Sequence, residues 1–261
     1  MAPNQLNRLE ATPALGFKAF AVNTEQLSIF HREPRQYLVT ARFYQFLTAV
    51  SRIREVMVHA TSKRSALFLD RDGVINTDIG YVHRAEDFAF IDGIFELCAS
   101  AAAVGMAIVV VTNQAGIGRC YYTETQFHKL SNWMCARFLK RGITIDGIYY
   151  CPFHAEHGIG EYKIESYDRK PNPGMILRAR DELGLRLDLS VLIGDKASDI
   201  QAARSANVGR AVLFAAPTVK ITPKPDLQAA SLWEIRDLLF IRPLRRENSE
   251  ATANTTTSRQ G

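Results

Sequence analysis

Short apolar runs alternate with longer amphipathic segments through the middle of the chain. Three of these runs have the length and composition of buried strands, namely residues 66–69, 107–111 and 191–194. Helical patterns lie between them, including one that follows a capping-box pattern of Thr123 and Gln126 and one opened by Pro173. Strands that alternate with helices are joined by right-handed crossovers into a parallel sheet. The pattern therefore predicts an α/β fold with a three-layer, doubly wound parallel sheet.

A polar residue follows each of the three predicted strands. These residues are Asp70, Thr112 and Asp195, which are far apart in the sequence. In open parallel sheets, ligands bind at the carboxyl ends of the strands. We therefore expect the three side chains to converge on one functional site.

The regions outside this pattern differ from it in composition and in the spacing of apolar residues. We divide the chain into an N-terminal extension (1–64), one folded domain (65–240) and a disordered tail (241–261). Apolar residues at three- and four-residue steps predict one amphipathic helix in the extension, at Val39, Phe43, Phe46, Val50, Ile53 and Met57. The tail is rich in polar residues and has too little apolar surface to offset the entropy of ordering.

The charge of the chain is unevenly distributed. The formal net charge is +5, and residues 1–64 hold nine Lys/Arg against four Asp/Glu, whereas the remaining 197 residues hold 23 of each. The body therefore has no basic stripe that would follow a nucleic-acid backbone. The longest apolar stretch is strand-sized, the four cysteines have no paired spacing, and the start does not resemble a secretory signal. These features predict a soluble, cytoplasmic monomer with neither a nucleic-acid nor a membrane partner.

The first strand end carries two acids with one residue between them, Asp70 and Asp72, followed by Gly73. Such a pair can direct one carboxylate and one backbone carbonyl at a hard cation and leave the second carboxylate free to move protons. Alone, the pattern is equally typical of a turn. Its companions at the other strand ends favour the chemical interpretation.

The other polar residues of the predicted site have side chains suited to binding a phosphate ester. Thr112, Asn113 and Gln114 offer a hydroxyl and amides to phosphoryl oxygens, although a Thr-Asn pair often forms only a turn or a helix cap. Arg169 and Lys170 place two cations before a proline-started helix, where alone they would be a solvated pair.

The third strand end adds more acids. Asp195 provides a further carboxylate for a metal, and Asp199 follows one helical turn later, where it can orient its neighbours. A lone Asp here would more often cap a helix. The combination of these groups after separate strands makes the individual structural interpretations improbable.

In this combination the chain resembles the haloacid dehalogenase (HAD) superfamily of phosphohydrolases. It is most similar to a subfamily that includes heptose bisphosphate 7-phosphatases and histidinol-phosphate phosphatases. The motifs are DRDGVIN at 70–76, GYV at 80–82, FIDG at 90–93, VTNQAGI at 111–117, DGIYYCP at 146–152, RKPNPGM at 169–175 and GDK at 194–196. The likeness runs from about residue 66 to residue 213.

The resemblance implies a HAD-like Rossmannoid fold and a role for each matching residue. Asp70 would be the nucleophile and would form an aspartyl phosphate, while Asp72 would act as general acid and base. Thr112 and Lys170 would stabilise the phosphoryl group. The resemblance implies Mg²⁺ bound by Asp70, the Asp72 carbonyl and Asp195.

The resemblance also implies a substrate, a small phosphorylated sugar. The favoured substrate is D-glycero-D-manno-heptose 1,7-bisphosphate, hydrolysed at C7, whose product would serve lipopolysaccharide precursor biosynthesis. The expected substrate-binding residues are Asp78, Ile79, Gly80, Tyr81, Asn113, Gln114, Ala115, Arg169 and Lys196. Arg169 suits a second phosphate because its planar guanidinium can bind in a bidentate manner. The intervals between the motifs leave room for loops but not for a separate cap domain.

One part of the subfamily pattern is missing. Members commonly bind structural zinc through a Cys-x-His and a Cys-x-Cys pair, and the corresponding positions here are Cys151, Phe153, Ser166 and Asp168. Because only one ligand remains, we predict that structural zinc is absent, although Cys151 and Asp168 with His154 and His157 leave a rebuilt site open. We expect the loop at 153–168 to be held by packing of Ile159, Tyr162 and Ile164.

Three alternative functions remain open. Histidinol phosphate or another small phosphomonoester is the main alternative substrate. A phosphatase-like binding module without turnover is a second alternative, which the retained acids and Lys170 disfavour. A nucleic-acid 3′-end phosphatase is a third, which the balanced charge of the body disfavours.

Overall fold

The computed structural model describes residues 64–241 of the 261-residue chain. The predicted amphipathic helix of the extension lies outside the described residues, as does the predicted tail beyond residue 241. Both therefore stay predictions. Among the described residues, no helix combines the length and the hydropathy needed to cross a membrane.

Six parallel strands form a sheet in the described part of the chain. Their bounds are Ala66–Leu69 (β1), Ala107–Asn113 (β2), Gly147–Cys151 (β3), Val191–Gly194 (β4), Arg210–Phe214 (β5) and Leu227–Ala229 (β6). The strand order is β3-β2-β1-β4-β5-β6, with every neighbouring pair parallel. The three predicted strands are confirmed, and β2 continues two residues past its predicted end.

Helices connect the strands. Their bounds are Ile94–Ala103 (α1), Ala115–Gly118 (α2), Glu124–Leu139 (α3), Gly174–Leu183 (α4), Ala197–Ser205 (α5) and Leu232–Arg236 (α6). One-turn 3₁₀ helices are at Ala85–Asp87, Gly160–Tyr162 and Leu187–Leu189, and a π-helical turn is at Asp237–Ile241. The second predicted helix begins at Gly174, one residue later than expected, because Pro173 is its N-cap.

The helices form a layer on each face of the sheet. Successive residues of β1 point to opposite layers, as the two-residue period of a strand requires. Leu67 and Leu69 pack in a core with residues of α1, α3 and α6, while Phe68 packs in a second core with residues of α4 and α5. The predicted three-layer α/β fold is therefore confirmed.

The centre of the sheet places three strand ends side by side. β1 pairs with β2 on one side and with β4 on the other. The Asp70 amide donates to the Ile193 carbonyl at 3.1 Å, which continues the β1–β4 pairing to the end of the strands. The chain thus leaves β1 in one direction to β2 and reaches β4 in the other. This reversal opens a crevice at the carboxyl edge, where α/β sheets bind ligands.

The segments that follow β1 and β3 both begin at this carboxyl edge, and neither forms a separate domain. Between β1 and α1 the chain forms one 3₁₀ helix, Ala85–Asp87, and between β3 and α4 it forms one other, Gly160–Tyr162. The predicted lack of a separate cap domain therefore holds for the described residues. The site at the strand ends is bordered by loops.

The N-terminus of α3 provides a test of the fold. The Thr123 hydroxyl accepts from the Gln126 amide at 3.2 Å, and the Gln126 side chain accepts from the Thr123 amide at 2.8 Å, which confirms the predicted capping box. We expect Thr123→Ala to lower the free energy of unfolding by about 1 kcal/mol, since an orphaned helix N–H loses its acceptor. Chemical denaturation followed by circular dichroism measures the change. Thr123→Ser keeps the hydroxyl and should stay near the wild type; equal losses in both variants would contradict the capping role.

Candidate active site

A cavity of about 360 Å³ lies at the carboxyl edge of the sheet. The predicted catalytic residues all line it, namely Asp70, Asp72, Thr112 and Lys170. So do most of the predicted substrate-binding residues, namely Asp78, Gly80, Tyr81, Asn113, Gln114, Ala115, Arg169 and Lys196. Ile79 is not part of the lining, and it is 65% exposed.

Lys170 is a buried cation between two acids. Its Nζ lies 3.0 Å from Asp70 Oδ1 and 2.6 Å from Asp199 Oδ1, and it donates to the Val111 carbonyl at 2.9 Å. Burial lowers the pKa of Lys170, but the two carboxylates outweigh that effect and leave the pKa raised. The ammonium group is therefore a fixed positive charge beside the carboxylate of Asp70.

The side chain of Asn113 fixes the backbone position of Lys170. Its Nδ2 donates to the Lys170 carbonyl, and its Oδ1 accepts from the Lys170 amide, both at 3.0 Å. These two bonds join the end of β2 to the loop before α4. The amide that was expected to contact substrate thus has both of its polar atoms bonded to the backbone of Lys170.

Three carboxylates form the acidic part of the site. Asp70, Asp195 and Asp199 each place one oxygen within 4.8 Å of the others. Asp70 and Asp195 were predicted metal ligands, and Asp199 was predicted to orient its neighbours. Asp199 Oδ2 accepts from the Lys196 amide at 3.0 Å, so it caps α5 as well as pairing with Lys170.

The surroundings of Asp195 suit a hard cation. Its Oδ1 is buried and has no hydrogen-bond partner among the described residues. Gly73 has a φ of +94°, and a Cβ there would lie 2.3 Å from Asp195 Oδ2, so only glycine permits this close approach. All-oxygen carboxylate ligands and an unsatisfied buried oxygen are what a Mg²⁺ site requires. The residues present therefore fit a divalent cation.

The clustering of acids changes their protonation. Burial raises the pKa of Asp70 to about 7; Lys170 opposes the shift, and the nearby acids Asp199, Asp72 and Asp195 add to it. Burial also raises the pKa of Asp195. Without a cation, burial and the neighbouring carboxylates disfavour the ionised form of Asp70, so a divalent cation would favour its charged form.

Asp72 is held by a different set of groups. Arg71 contacts both of its oxygens, with Nη2 at 2.8 Å from Oδ2, and Asn76 donates to Oδ1 at 3.0 Å. Arg71 is only 1% exposed and also donates to the Val82 carbonyl at 2.7 Å. Arg71 was not among the site residues predicted from the sequence. The guanidinium fixes the side chain of Asp72 beside, and not inside, the group of three acids.

The loop after β1 reaches Lys196. Asp78 Oδ2 lies 3.1 Å from Lys196 Nζ, and Asp78 Oδ1 accepts from the Gly80 amide at 3.0 Å. Burial raises the pKa of Asp78, but the bonds from Gly80 and Lys196 outweigh it and leave the pKa lowered. Tyr81 has a positive φ of 55° and meets the Tyr121 ring edge-on at 4.7 Å. The ion pair between Asp78 and Lys196 thus joins the loop after β1 to the loop after β4.

Five residues that were not predicted to belong to the site also line the cavity, namely Gly116, Arg119, Tyr122, His154 and Ser198. The Arg119 guanidinium lies 5.7 Å from the centre of the Tyr81 ring, and its Nε is buried without a hydrogen-bond partner among the described residues. Burial lowers the pKa of Arg169, and the nearby Arg119 lowers it further. The sequence carries a signal for Arg119, because this residue lies within one helical turn after the VTNQAGI motif.

His154 has a defined hydrogen-bonding state. Its Nδ1 lies 3.2 Å from the backbone amides of both Glu156 and His157, which can only donate. Burial lowers the pKa of His154, and the charges of Arg169 and Arg119 lower it further. Nδ1 is therefore an acceptor and the ring proton is on Nε2.

The loop at 153–168 is held differently from the prediction. Ile159 is 57% exposed and Ile164 is 49% exposed, so their expected packing is wrong; only Tyr162 packs, against Phe153 at 5.8 Å. Backbone hydrogen bonds stabilise the loop instead, including one from the Ile159 amide to the Gly118 carbonyl at 2.8 Å. Such bonds leave no apolar periodicity from which they could be predicted.

Two of the positions that the resemblance assigns to zinc ligands have other partners. Asp168 pairs with Arg178 at 3.0 Å, and the Cys151 thiol lies 3.9 Å from the Phe153 carbonyl. Among residues 64–241, the one group of three or more potential ligands with closely placed ligand atoms is that of Asp70, Asp195 and Asp199. The predicted absence of zinc stays a prediction.

Comparison with known proteins identifies relatives with high sequence identity. A HAD-hydrolase-like family model matches residues 167–234. The D-glycero-alpha-D-manno-heptose-1,7-bisphosphate 7-phosphatase of Burkholderia mallei is 60% identical over 152 residues, which cover 58% of this chain and 80% of the relative. The corresponding beta-anomer phosphatase of Yersinia pestis is 42% identical over 181 residues, which cover 68% of this chain and 93% of the relative.

Solved structures share the fold. A protein named as a HAD-like phosphatase from Mesorhizobium loti is 31% identical with a TM-score of 0.60, covering 67% of this chain and 85% of that chain. The D,D-heptose 1,7-bisphosphate phosphatase of B. bronchiseptica, complexed with magnesium and phosphate, is 24% identical with a TM-score of 0.57, covering 67% and 97%. With Asp70, Asp72 and Lys170 in one cavity and an oxygen of Asp195 within 4.8 Å of one of Asp70, the chain belongs to the HAD-like phosphatase family of the D-glycero-D-manno-heptose-1,7-bisphosphate 7-phosphatases, and it is a phosphoric monoester hydrolase.

Proposed function

We propose that this phosphatase removes the C7 phosphate of D-glycero-D-manno-heptose 1,7-bisphosphate, in the cytoplasm, through an aspartyl phosphate on Asp70. The observation that carries the proposal is the buried Lys170 ammonium, which lies 3.0 Å from Asp70 and 2.6 Å from Asp199 at the strand ends. A fixed cation beside a carboxylate nucleophile suits a reaction in which a phosphate dianion must approach that carboxylate.

Asp70 and Asp195 are the carboxylates assigned to Mg²⁺, together with the backbone carbonyl of Asp72. Bound there, Mg²⁺ would offset the repulsion between the Asp70 carboxylate and the phosphate dianion. Asp199 is assigned a positioning role, since its oxygens already contact Lys170 and the Lys196 amide.

The first half of the reaction is in-line attack by Asp70. A carboxylate oxygen forms a bond to phosphorus while the bond to the sugar oxygen breaks, which leaves an acyl phosphate on Asp70. Lys170 and the Thr112 hydroxyl would stabilise the phosphoryl oxygens, and donors of this kind typically contribute about 2.7–4 kcal/mol. Asp72 would donate its proton to the leaving sugar oxygen.

The second half of the reaction is hydrolysis of the acyl phosphate. Asp72, now ionised, would take a proton from water as that water attacks phosphorus, and inorganic phosphate would leave with Asp70 restored. The two halves require Asp72 to be near the leaving oxygen and near the incoming water. Both Asp70 and Asp72 line the same cavity, which supports this assignment.

The second phosphate of the substrate needs cations of its own. Arg169 and Arg119 line the cavity and are close enough for the charge of one to lower the pKa of the other. A bound dianion would relieve this repulsion. We therefore assign the C1 phosphate to these two guanidinium groups, with the His154 Nε2–H as a neutral donor beside them.

A substrate panel with an Arg169→Ala variant tests the substrate. We expect the wild type to release phosphate fastest from heptose 1,7-bisphosphate, and the alpha and beta anomers are both included because the relatives act on one or the other. Arg169→Ala should raise KM for the bisphosphate by about tenfold or more, through loss of a charge-assisted contact, and change p-nitrophenyl phosphate hydrolysis little.

Arg180→Ala is the matched control, because Arg180 is a partly exposed arginine of α4 that pairs with Asp181 and does not line the cavity. Faster hydrolysis of histidinol phosphate or a phosphorylated oligonucleotide than of either bisphosphate would overturn the substrate. Equal effects of Arg169→Ala on bisphosphate and p-nitrophenyl phosphate would overturn the assigned role of Arg169.

Asp70→Asn tests the nucleophile. The amide cannot attack phosphorus, so we expect Mg²⁺-dependent phosphate release to fall by a factor of about 10³ or more. A colorimetric phosphate assay measures the loss. Asp188→Asn, at an exposed acid that pairs with Arg186 before β4, should keep wild-type activity. Turnover that persists in Asp70→Asn would remove Asp70 from this role.

Asp195→Asn tests the metal site by thermal denaturation. A Mg²⁺ concentration of 100 times Kd should stabilise the wild type by about 2.7 kcal/mol, and the variant should lose most of this response. Because the pKa of Asp195 is raised in the folded protein, ionising it at neutral pH costs stability. The metal-free variant should therefore be at least as stable as the metal-free wild type. An undiminished Mg²⁺ response would place the ion elsewhere.

A further inference from the structure

The side chain of Gln114 bridges two predicted catalytic groups. Its Nε2 donates to Thr112 Oγ1 at 2.8 Å and to Asp72 Oδ2 at 3.0 Å. Gln114 is only 2% exposed, and Thr112 only 1%. An amide nitrogen has two protons, so both are used on these two oxygens. The side chain that was expected to bind substrate is therefore committed to the catalytic groups themselves.

Tyr122 fixes the orientation of this amide. Its hydroxyl donates to Gln114 Oε1 at 2.5 Å. Burial raises the pKa of Tyr122 to about 12, so the hydroxyl keeps its proton and remains a donor. A flipped amide would place Oε1 against the Asp72 carboxylate and Nε2 against the tyrosine proton, and both contacts would be unfavourable. Only one orientation of Gln114 is compatible with its neighbours.

The position of Tyr122 is in turn set by packing. Its ring stacks on His83 with centroids 5.1 Å apart, and a Cβ on Gly116 would lie 2.2 Å from it. The ring thus occupies the space that a side chain at residue 116 would need. Tyr122 and Gln114 are both buried, and the partly exposed His83 packs against the Tyr122 ring, so the hydroxyl of Tyr122 is held in place beside Gln114.

The bridge determines what Thr112 can do. Because Thr112 Oγ1 accepts the proton of Gln114, its own hydroxyl proton is left to donate, and the described residues supply no other acceptor for it. A donor is what a transferring phosphoryl oxygen requires. Gln114 thereby sets the direction of the Thr112 hydroxyl.

The hydrogen bond from Gln114 also fixes the position of the Asp72 carboxylate. Arg71 and Asn76 donate hydrogen bonds to the Asp72 carboxylate from the segment after β1, and Gln114 donates to its Oδ2 from the residue that follows β2. We propose that Gln114, oriented by Tyr122, is a positioning residue that aligns Asp72 for proton transfer to the leaving group and Thr112 for donation to the phosphoryl group. This role rests on the proposed function and adds to it a residue that acts through two others.

Proton donation matters most when the leaving group is a poor one. An alkoxide from a sugar needs a proton as it departs, whereas p-nitrophenolate is stable enough to leave without one. Loss of the Asp72 alignment should therefore slow a sugar phosphate far more than p-nitrophenyl phosphate. A loss of general stability or of substrate contacts would not depend on the leaving group.

The test compares Gln114→Met with the wild type on two substrates, the best sugar phosphate of the panel and p-nitrophenyl phosphate. Methionine keeps the length of glutamine without its polar atoms. We expect kcat on the sugar phosphate to fall by about 10²-fold or more, with KM within about twofold. On p-nitrophenyl phosphate the loss should be about tenfold, since only the Thr112 alignment is affected.

Tyr122→Phe keeps the stacked ring and removes only the hydroxyl, so it tests the proposal even if Gln114→Met does not fold. It should show a smaller loss with the same dependence on the leaving group. Tyr149→Phe is the control, because it removes a hydroxyl that bonds Glu182 at 2.9 Å on the other face of the sheet, and it should match the wild type.

Three outcomes would overturn the role of Gln114. Equal losses on both substrates would indicate a structural effect. A raised KM with unchanged kcat would indicate direct substrate contact, and unchanged kinetics would remove any role. A wild type that prefers another sugar phosphate would overturn only the proposed substrate, because the comparison then uses that compound.

Discussion

The structure depends on the buried Lys170 ammonium at the carboxyl edge of the sheet. Asp70 and Asp199 are both nearly inaccessible to water, and Lys170 lies within ion-pair distance of each. Removing one partner of such a buried pair typically costs about 3–5 kcal/mol, because the remaining charge is left uncompensated. Lys170 therefore stabilises the arrangement of the acids as well as serving the chemistry assigned to it. The position of Lys170 in turn depends on Asn113, which bonds both the backbone N–H and the backbone carbonyl of Lys170.

The acids still outnumber the cation that they surround. Asp70 and Asp199 share the buried Lys170 ammonium. Burial raises the pKa of Asp70 to about 7, and the nearby acids Asp199, Asp72 and Asp195 add to the shift while Lys170 opposes it. A site arranged for a divalent cation and a phosphate dianion is expected to be unfavourable without them, since activity and stability compete at such positions. The glycine at residue 73 belongs to the same constraint, because any side chain there would displace Asp195.

The strand ends could be predicted from the sequence, whereas the polar contacts between them could not. Apolar runs mark β1, β2 and β4, and the topology of a parallel sheet brings their carboxyl ends together, so Asp70, Thr112 and Asp195 could be placed without coordinates. The contacts of Gln114 depend on which way an amide turns, which no periodicity records. Arg119 directly follows a short helix, and its spacing from the VTNQAGI motif is its one signal in the sequence. His154 lies on a loop, where neither spacing nor strand order indicates which side chains meet. For the same reason Ile159 and Ile164 were expected to pack, although backbone hydrogen bonds hold their loop and leave both exposed.

The adjacency of Arg169 and Lys170 links substrate recognition to chemistry. Arg169 is assigned to the second phosphate and Lys170 to the reacting one, yet they are consecutive residues of one loop. Arg169 Nη1 donates to the Phe153 carbonyl at 3.2 Å, so the loop at 153–168 sets the position of the recognition group directly. Lys170 is separately anchored to β2 through Asn113. Because the second anchor belongs to the sheet, changes in the loop can move Arg169 while Lys170 stays beside Asp70. This division explains physically how the loop can differ in sequence while the groups assigned to phosphoryl transfer keep their arrangement.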